Sequence, residues 1–362
     1  MEIRSLELKN YRNYNSQQVF FDEGVNVLVG KNAQGKTNML ESIFLCAIGK
    51  SPRTNKEKEL IKWDATFSKT TLELSSIKGD KKIEFFIFEN QSKAIKVNGF
   101  ALKKIGELLG EFKAVYFSPD ELKLVKESPS ERRKFMDISL SQFDKNYFYN
   151  ISKYTKIMAQ RNKLLKSTKD ISTLLDTLPI WNEQLAIYGA KIIFERMNFI
   201  KEINKIAFTI HKELTQGKEE LYLSYIGLTA PTEFEIREKL LEELNVTAEK
   251  DAMLGYTSVG PHRDDIRIMV NNIDARTFGS QGQQRTVALS LKLAELEFFY
   301  NNFGEYPVLL LDDVLSELDD NRQVKLLEYV SKIQTIITCT SFPFKIKAKI
   351  FKIENGYVVE NN

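Results

Sequence analysis

A chain of 362 residues, 43% hydrophobic and 28% charged, has the composition of an ordinary globular protein with room for one large domain or two smaller ones. Its 52 basic and 49 acidic residues nearly cancel, so any surface for a polyanion must be local. Ile43 to Ile48, the longest early apolar stretch, is far too short to span a bilayer, and two cysteines with two histidines give no zinc-site spacing. Met1-Glu2-Ile3-Arg4 carries no signal-peptide pattern, and Cys46 and Cys339 both sit in apolar stretches, so core thiols in a reducing, cytoplasmic compartment are expected, with no membrane partner.

In chain order, Ile3, Leu6 and Leu8 alternate loosely and predict a first strand, followed by Asn10-Tyr11-Arg12-Asn13-Tyr14. Val25, Val27, Leu28 and Val29 predict a buried strand. Met39, Leu40, Ile43, Phe44, Ala47 and Ile48 recur at helical spacing up to Gly49. Between them, Gly30-Lys31-Asn32-Ala33-Gln34-Gly35-Lys36-Thr37 reads G-x-x-x-x-G-K-[ST], the phosphate-binding loop. The strand–loop–helix order is what that chemistry needs. Gly30 and Gly35 let backbone N–H groups curl around a phosphate at a helix N-terminus. Lys36 is placed to reach the β- and γ-phosphates and the Thr37 hydroxyl to ligate Mg²⁺.

Residues 66–97 are rich in β-branched and aromatic side chains and predict an antiparallel meander closed by Asn98-Gly99. Val115-Tyr116-Phe117 predicts another buried strand. Ser128-Pro129-Ser130-Glu131 reads as a capping-box helix start, and from there to about Lys212 the chain reads mainly as helix. Within it, Lys153, Lys156, Arg161, Lys163, Lys166 and Lys169 accompany no acidic residue, beside a separate apolar face. Such a run is either a solvated helix face or a phosphate-tracking DNA surface. Ile266, Ile268 and Val270 predict a strand before the Asn271-Asn272 turn, Ser280 to Arg285 opens a helix running to about Asn301, and Val308 to Leu311 predicts a buried strand ending in Asp312-Asp313. Ile336-Ile337 starts another, and Asn355-Gly356 turns a last hairpin.

After a phosphate loop, an apolar strand ending in two carboxylates acquires a meaning. Asp312 would hold Mg²⁺, and Asp313 sits where a carboxylate can orient or deprotonate the attacking water, so Asp313 and Lys36 are the candidate catalytic pair. Ser280, Gly282 and Gln283 form a capped helix start able to receive an anion. Placed one helix before the Asp-Asp strand, they resemble the signature motif of ABC-type ATPases, which closes on the γ-phosphate bound by a second subunit. Ser316-Glu317-Leu318-Asp319 likewise resembles the D-loop of that class, with Ser316 and Asp319 at the dimer interface.

Taken together, the chain resembles the RecF family of bacterial recombination-repair ATPases over nearly its whole length. The marks are Leu8 to Tyr14, Gly30 to Thr37, Tyr116-Phe117-Ser118-Pro119-Asp120-Glu121-Leu122, Pro129 to Asp137, Gly260-Pro261-His262-Arg263-Asp264-Asp265, Ser280 to Arg285 and Leu310 to Asp319. The resemblance implies an α/β fold, an ABC/SMC-like P-loop ATPase head of mixed sheets and helices with an inserted α-helical lobe. Residues 1–125 would form the N-terminal part of the head, 126–250 the lobe and 251–362 the C-terminal part with the signature and Asp-Asp motifs. It implies ATP and Mg²⁺ as cofactors and a homodimer when ATP is bound. It also implies weak DNA-stimulated hydrolysis, binding to double-stranded DNA and to gapped or single-strand/double-strand junction DNA, work with RecO and RecR to load RecA, and a place at the nucleoid. By analogy with SMC heads, Arg12 and Asn13 would lie near the ATP base or phosphates.

Departures from the wider class point to slow turnover. Thr338-Cys339-Thr340 stands where transporter-type members carry a switch histidine, and no Q-loop glutamine occurs near Ser118 to Glu121. His262 reads as a catalytic base or as a loop-packing residue, and Arg132 and Arg133 as partners of Asp137 or of DNA. From the phosphate loop alone, a transporter's nucleotide-binding subunit or a small-molecule kinase is the alternative.

Overall fold

The computed structural model describes residues 1–167, 171–344 and 346–360. Lys169 of the basic run lies outside them. The chain opens with β1 (Glu2–Tyr11) and β2 (Tyr14–Phe20), and β3 (Val25–Val29) then feeds the phosphate loop into α1 (Lys36–Ile48). The expected meander follows as β4 (Phe67–Ser75), β5 (Lys81–Phe88), β6 (Ala94–Val97) and β7 (Phe100–Ala101), with Asn98 and Gly99 turning the last pair at φ 50 and 83. After β8 (Ala114–Phe117) come α2 (Lys123–Lys126), α3 (Pro129–Phe143), α4 (Lys145–Ser167) and α5 (Ile171–Leu214). Next are β9 (Leu221–Ile226), α6 (Glu233–Val246), α7 (Ala248–Leu254), β10 (Asp265–Val270) and β11 (Ile273–Asp274). The chain continues through α8 (Gln281–Phe303), β12 (Val308–Asp312), α9 (Asp320–Val330), β13 (Thr335–Cys339), β14 (Ala348–Glu354) and β15 (Tyr357–Glu360).

Two compact units result. The first comprises Met1–Leu122, Glu213–Gly217 and Arg285–Asn362, and the second Lys123–Lys212 and Lys218–Gln284. The boundary expected at residue 250 is therefore corrected. β9 pairs antiparallel with β10 from Leu221 against Val270 to Ile226 against Asp265, which draws residues 251–284, signature turn included, into the helical unit. The alternation of Leu221, Leu223 and Tyr225 carries that strand in the sequence. A second correction concerns the start of α3. Ser128 makes no side-chain cap, because its hydroxyl lies 2.6 Å from that of Ser130. A full capping box opens α6, where Thr232 and Glu235 each accept from the other's backbone N–H.

The first unit holds two six-stranded sheets, ordered β2-β1-β4-β5-β6-β7 and β15-β14-β3-β13-β12-β8. In the second, β14, β3, β13, β12 and β8 run parallel and only β15 is antiparallel. Parallel strands of this kind are covered on both faces, which is why Val308 to Leu311 are apolar without alternation and at most 1% exposed. Each such side chain stabilises the sheet by about 1.5–3 kcal/mol. The carboxyl ends of β3, β12 and β13 thus form a stiff platform, the edge at which open α/β sheets bind ligands.

Candidate functional site

Register builds the site. Asp312 on β12 pairs with Thr338 on β13, and Cys339 with Val29 on β3, so the acidic pair, Thr338 and the start of the phosphate loop meet at one sheet edge. Gly30 is required there because a Cβ would stand 2.4 Å from the Ile353 carbonyl oxygen of β14. Gly35 caps α1 at φ 114, where a Cβ would also collide with the Asn13 side chain.

Lys36 donates from Nζ to the carbonyls of Gly30 (2.5 Å) and Lys31 (2.8 Å), spanning the loop. Burial pushes its pKa down, with Asp313, Cys339 and Asp312 pulling it back up. Lys31, Asn32 and Ala33 form the exposed crest, Ala33 at φ 64. The base of the loop is pinned from three directions. Asn13 donates to the Gln34 carbonyl (2.9 Å) and accepts from Asn38 (2.9 Å). Tyr14 donates to the Gly35 carbonyl at 3.0 Å. The Asn355 backbone N–H donates to the Gln34 side chain (2.7 Å) and that of Gly356 to the Gln34 carbonyl (3.1 Å). Asn13 therefore shapes the loop. Arg12, expected near the nucleotide, forks onto buried Glu41 (Nε 3.0 Å, one terminal nitrogen 2.9 Å) and also donates to the Glu59 carbonyl. That bidentate pair braces the first turns of α1.

Asp312 gathers three hydroxyls. Thr37 and Thr338 donate to its Oδ1 and Tyr116 to its Oδ2, each at 2.8 Å. Burial and the adjacent carboxylate push the Tyr116 phenol up, so it stays a donor. The donor set agrees with the expected Mg²⁺. A hydroxyl and a carboxylate oxygen lie side by side, the hard oxygen donors that ion prefers, and it ordinarily completes its shell with phosphates and water. No group of three or more His, Cys, Asp or Glu side chains placed to hold a metal ion occurs among the described residues.

Asp313 follows at φ 54, a left-handed conformation that aspartate tolerates better than most residues. Its N–H is held by the Thr338 hydroxyl (2.9 Å) and carbonyl (3.2 Å). Thr338 thus orients the Asp312 carboxylate and fixes the Asp313 backbone from the position where the sequence offered no histidine. In the D-loop segment, Ser316 donates to the Asp313 carbonyl at 2.7 Å, and Asp319 caps α9 by accepting from the Arg322 N–H at 3.0 Å. That hydrogen bond, with the Arg322 charge, holds the Asp319 carboxyl below its usual range. Glu317 is paired with Arg285.

In the second unit, Ser280 and Gln283 form a reciprocal cap. The Gln283 N–H donates to the Ser280 hydroxyl (3.2 Å) and the Ser280 N–H to the Gln283 side-chain oxygen (2.9 Å). Ser280 is exposed, and a Cβ placed on Gly282 would meet nothing within 4 Å. Lys153, Lys156, Lys163 and Lys166 are exposed along α4. Arg161 is a correction, being fully buried, ion-paired with Asp251 at 2.7 Å and bonded to Asn182 and Thr257. It is a core strut and leaves the candidate DNA surface.

The arginines of α3 also find protein partners. Arg132 forks onto Asp265 (2.5 and 3.0 Å) and Arg133 donates to the Asp264 carbonyl (2.7 Å), whereas Asp137 pairs with Arg196. His262 donates from Nε2 to the Thr257 carbonyl (3.0 Å) and accepts at Nδ1 from Tyr154 (2.7 Å), the packing role rather than the catalytic one. Its pKa falls from 6.5 to about 4, chiefly through burial and despite the Thr257 bond. The unfolded chain therefore takes up a proton below pH 6.5 that the folded chain refuses, and stability is lost as pH drops from 6.5 towards 4. Asp264, raised by burial from 3.8 to about 6, contributes the opposite slope. His262→Gln removes only the imidazole's share. Denaturant unfolding at pH 7.5 and pH 5 is expected to show the variant losing about 2 kcal/mol less than wild type on acidification.

A pinned phosphate loop and an Asp-Asp strand on one largely parallel sheet define an ABC-type ATP-binding head of the SMC class. Residues 2–354 match the family model described as the RecF/RecN/SMC N terminal domain. The chain is 46% identical to the DNA replication and repair protein RecF of Clostridium acetobutylicum, covering 99% of this chain and all of that one. It is also 46% identical to the RecF protein of Clostridium tetani, with both chains fully covered. A solved structure of the recombination mediator protein RecF with ATPrS, in the RecFOR pathway, superposes with a TM-score of 0.92 at 41% identity, over 99% of this chain and 98% of that one. An Smc head bound to a domain of ScpA shares the fold at TM-score 0.58 and 18% identity, over 99% of this chain and 96% of that one. The chain belongs to the RecF family. No described helix is long and apolar enough to cross a membrane.

Proposed function

We propose that this protein is an ATP-gated DNA clamp of recombinational repair and replication maintenance. ATP and Mg²⁺ bind at Gly30 to Thr37 with Asp312, and two copies close with the signature of each on the γ-phosphate of the other. The dimer holds double-stranded DNA near single-strand gaps along the lysines of α4, and hydrolysis at Asp313 releases it. It acts at the nucleoid in the cytoplasm, with RecO and RecR, in loading RecA. The observation that carries this reading is the signature turn. Ser280 is exposed at the start of α8, where its hydroxyl and backbone cap a helix N-terminus of the kind that receives an anion.

Turnover is slow because Asp313 is one methylene shorter than glutamate, and a misplacement of ~1 Å costs roughly 100-fold in rate. DNA that tightens the dimer brings the water into line and speeds it.

Sedimentation and duplex binding with a slowly hydrolysed ATP analogue, with ADP and without nucleotide test the reading. Dimerisation and DNA binding are expected only with the analogue, and Ser280→Arg should bind nucleotide yet remain monomeric. Replacing Lys153, Lys156, Lys163 and Lys166 by glutamine should flatten the dependence of log affinity on log salt by up to roughly 3 to 4 units, about 0.9 for each phosphate no longer neutralised. Mass and DNA affinity that ignore the nucleotide, or an unchanged salt slope, would overturn the clamp or its DNA surface respectively.

A further inference from the structure

The Gln283 side chain does not reach outward from the signature. Its amide oxygen accepts from the Ser280 N–H at 2.9 Å, and its amide nitrogen donates to Oε1 of Glu219 at 3.0 Å. These partners fix the amide's orientation, since an N–H requires an acceptor and a carboxylate a donor. Glu219 lies just before β9 and is itself anchored, with its Oε2 3.2 Å from Nε2 of His211. His211 is in the last turn of α5 and is wholly buried. A line of hydrogen bonds thus runs from a core histidine through a carboxylate to the cap of the signature helix.

We propose that Glu219, backed by His211, is a positioning residue for the signature. It holds Gln283, and Gln283 holds the Ser280 turn in the shape that receives a partner's γ-phosphate. Gln283 then acts as a strut rather than as a phosphate ligand. The proposal rests on the reading of Ser280 to Gln283 as an in-trans signature. Without Glu219, the Gln283 amide is free to rotate and the Ser280 N–H loses its fixed acceptor. The turn shifts by a fraction of a bond length or more, at the point where about 1 Å costs roughly 100-fold.

Glu219→Ala tests this by its pattern of effects. Binding of a fluorescent ATP analogue to the single chain is expected to match wild type, because the phosphate loop is untouched. Dimerisation with the slowly hydrolysed analogue should weaken about 10-fold and turnover should fall roughly 10- to 100-fold. Gln283→Glu, which faces Glu219 with a second carboxylate, should do the same. Combining it with Glu219→Gln restores an amide-to-carboxylate bond in the reverse sense and should recover most of the dimerisation. If Glu219→Ala dimerises and turns over like wild type while Ser280→Arg does neither, the signature reading stands and the role of Glu219 is refuted. If Ser280→Arg also dimerises normally, both fail together. Should Glu219→Ala fold poorly, the reciprocal pair decides, and a double variant no better than Gln283→Glu alone overturns the proposal.

Discussion

Asp313→Asn is expected to bind ATP and dimerise while hydrolysing it roughly 100- to 10,000-fold more slowly, the usual share of a general base. Asparagine keeps the size of the side chain, tolerates the left-handed backbone at φ 54, and leaves the N–H bonds to Thr338 in place. What it loses is the capacity to take a proton and one negative charge facing Lys36, whose pKa Asp313 helps to raise. ATP itself should then trap the dimer as a slowly hydrolysed analogue does in the parent. Single-turnover hydrolysis beside sedimentation in ATP separates the two effects. Parental turnover in the variant would assign the attacking water to another group.

Arg161→Ala is expected to cost about 3–5 kcal/mol of stability, the penalty for leaving one half of a buried ion pair behind. Asp251 is as fully buried as Arg161, and the guanidinium also joins Asn182 on α5 to Thr257. Its removal strands a carboxylate and loosens the packing of α4, α5 and α7 together. Denaturant unfolding should record the loss. Arg161→Lys, which keeps the charge but not the fork, should fall between. DNA affinity per folded molecule should hold in Arg161→Lys, and a fall in its salt slope would return Arg161 to the DNA surface.

The same residue shows how far the sequence could be read. On α4, Tyr154, Ile157, Arg161 and Leu165 recur at three- and four-residue steps, so Arg161 shares the buried stripe, while Lys153, Lys156, Lys163 and Lys166 fall on another. Counting charge without phase placed it on the wrong side. The phosphate loop, the Asp-Asp strand and the central strands were legible because each is a local pattern: fixed spacing, apolar runs and turn residues. Tyr116 and Thr338 were not, because their roles arise from strand order. Nothing near residue 116 or 338 announces that β8 and β13 flank β12 and bring two hydroxyls to one carboxylate. The capping boxes show the same limit. Ser128-Pro129-Ser130-Glu131 fits the pattern, but a neighbouring hydroxyl competes for the cap.

The grip of Asn355 and Gly356 on Gln34, across 321 positions of sequence in the first case, bears on how the protein is made. The phosphate loop leaves the ribosome early, yet residues that shape it are translated only with the final hairpin, β14 to β15. A chain stalled before that hairpin lacks the two backbone donors that hold Gln34. The loop is thus among the first segments made and among the last to gain all the hydrogen bonds that hold its shape.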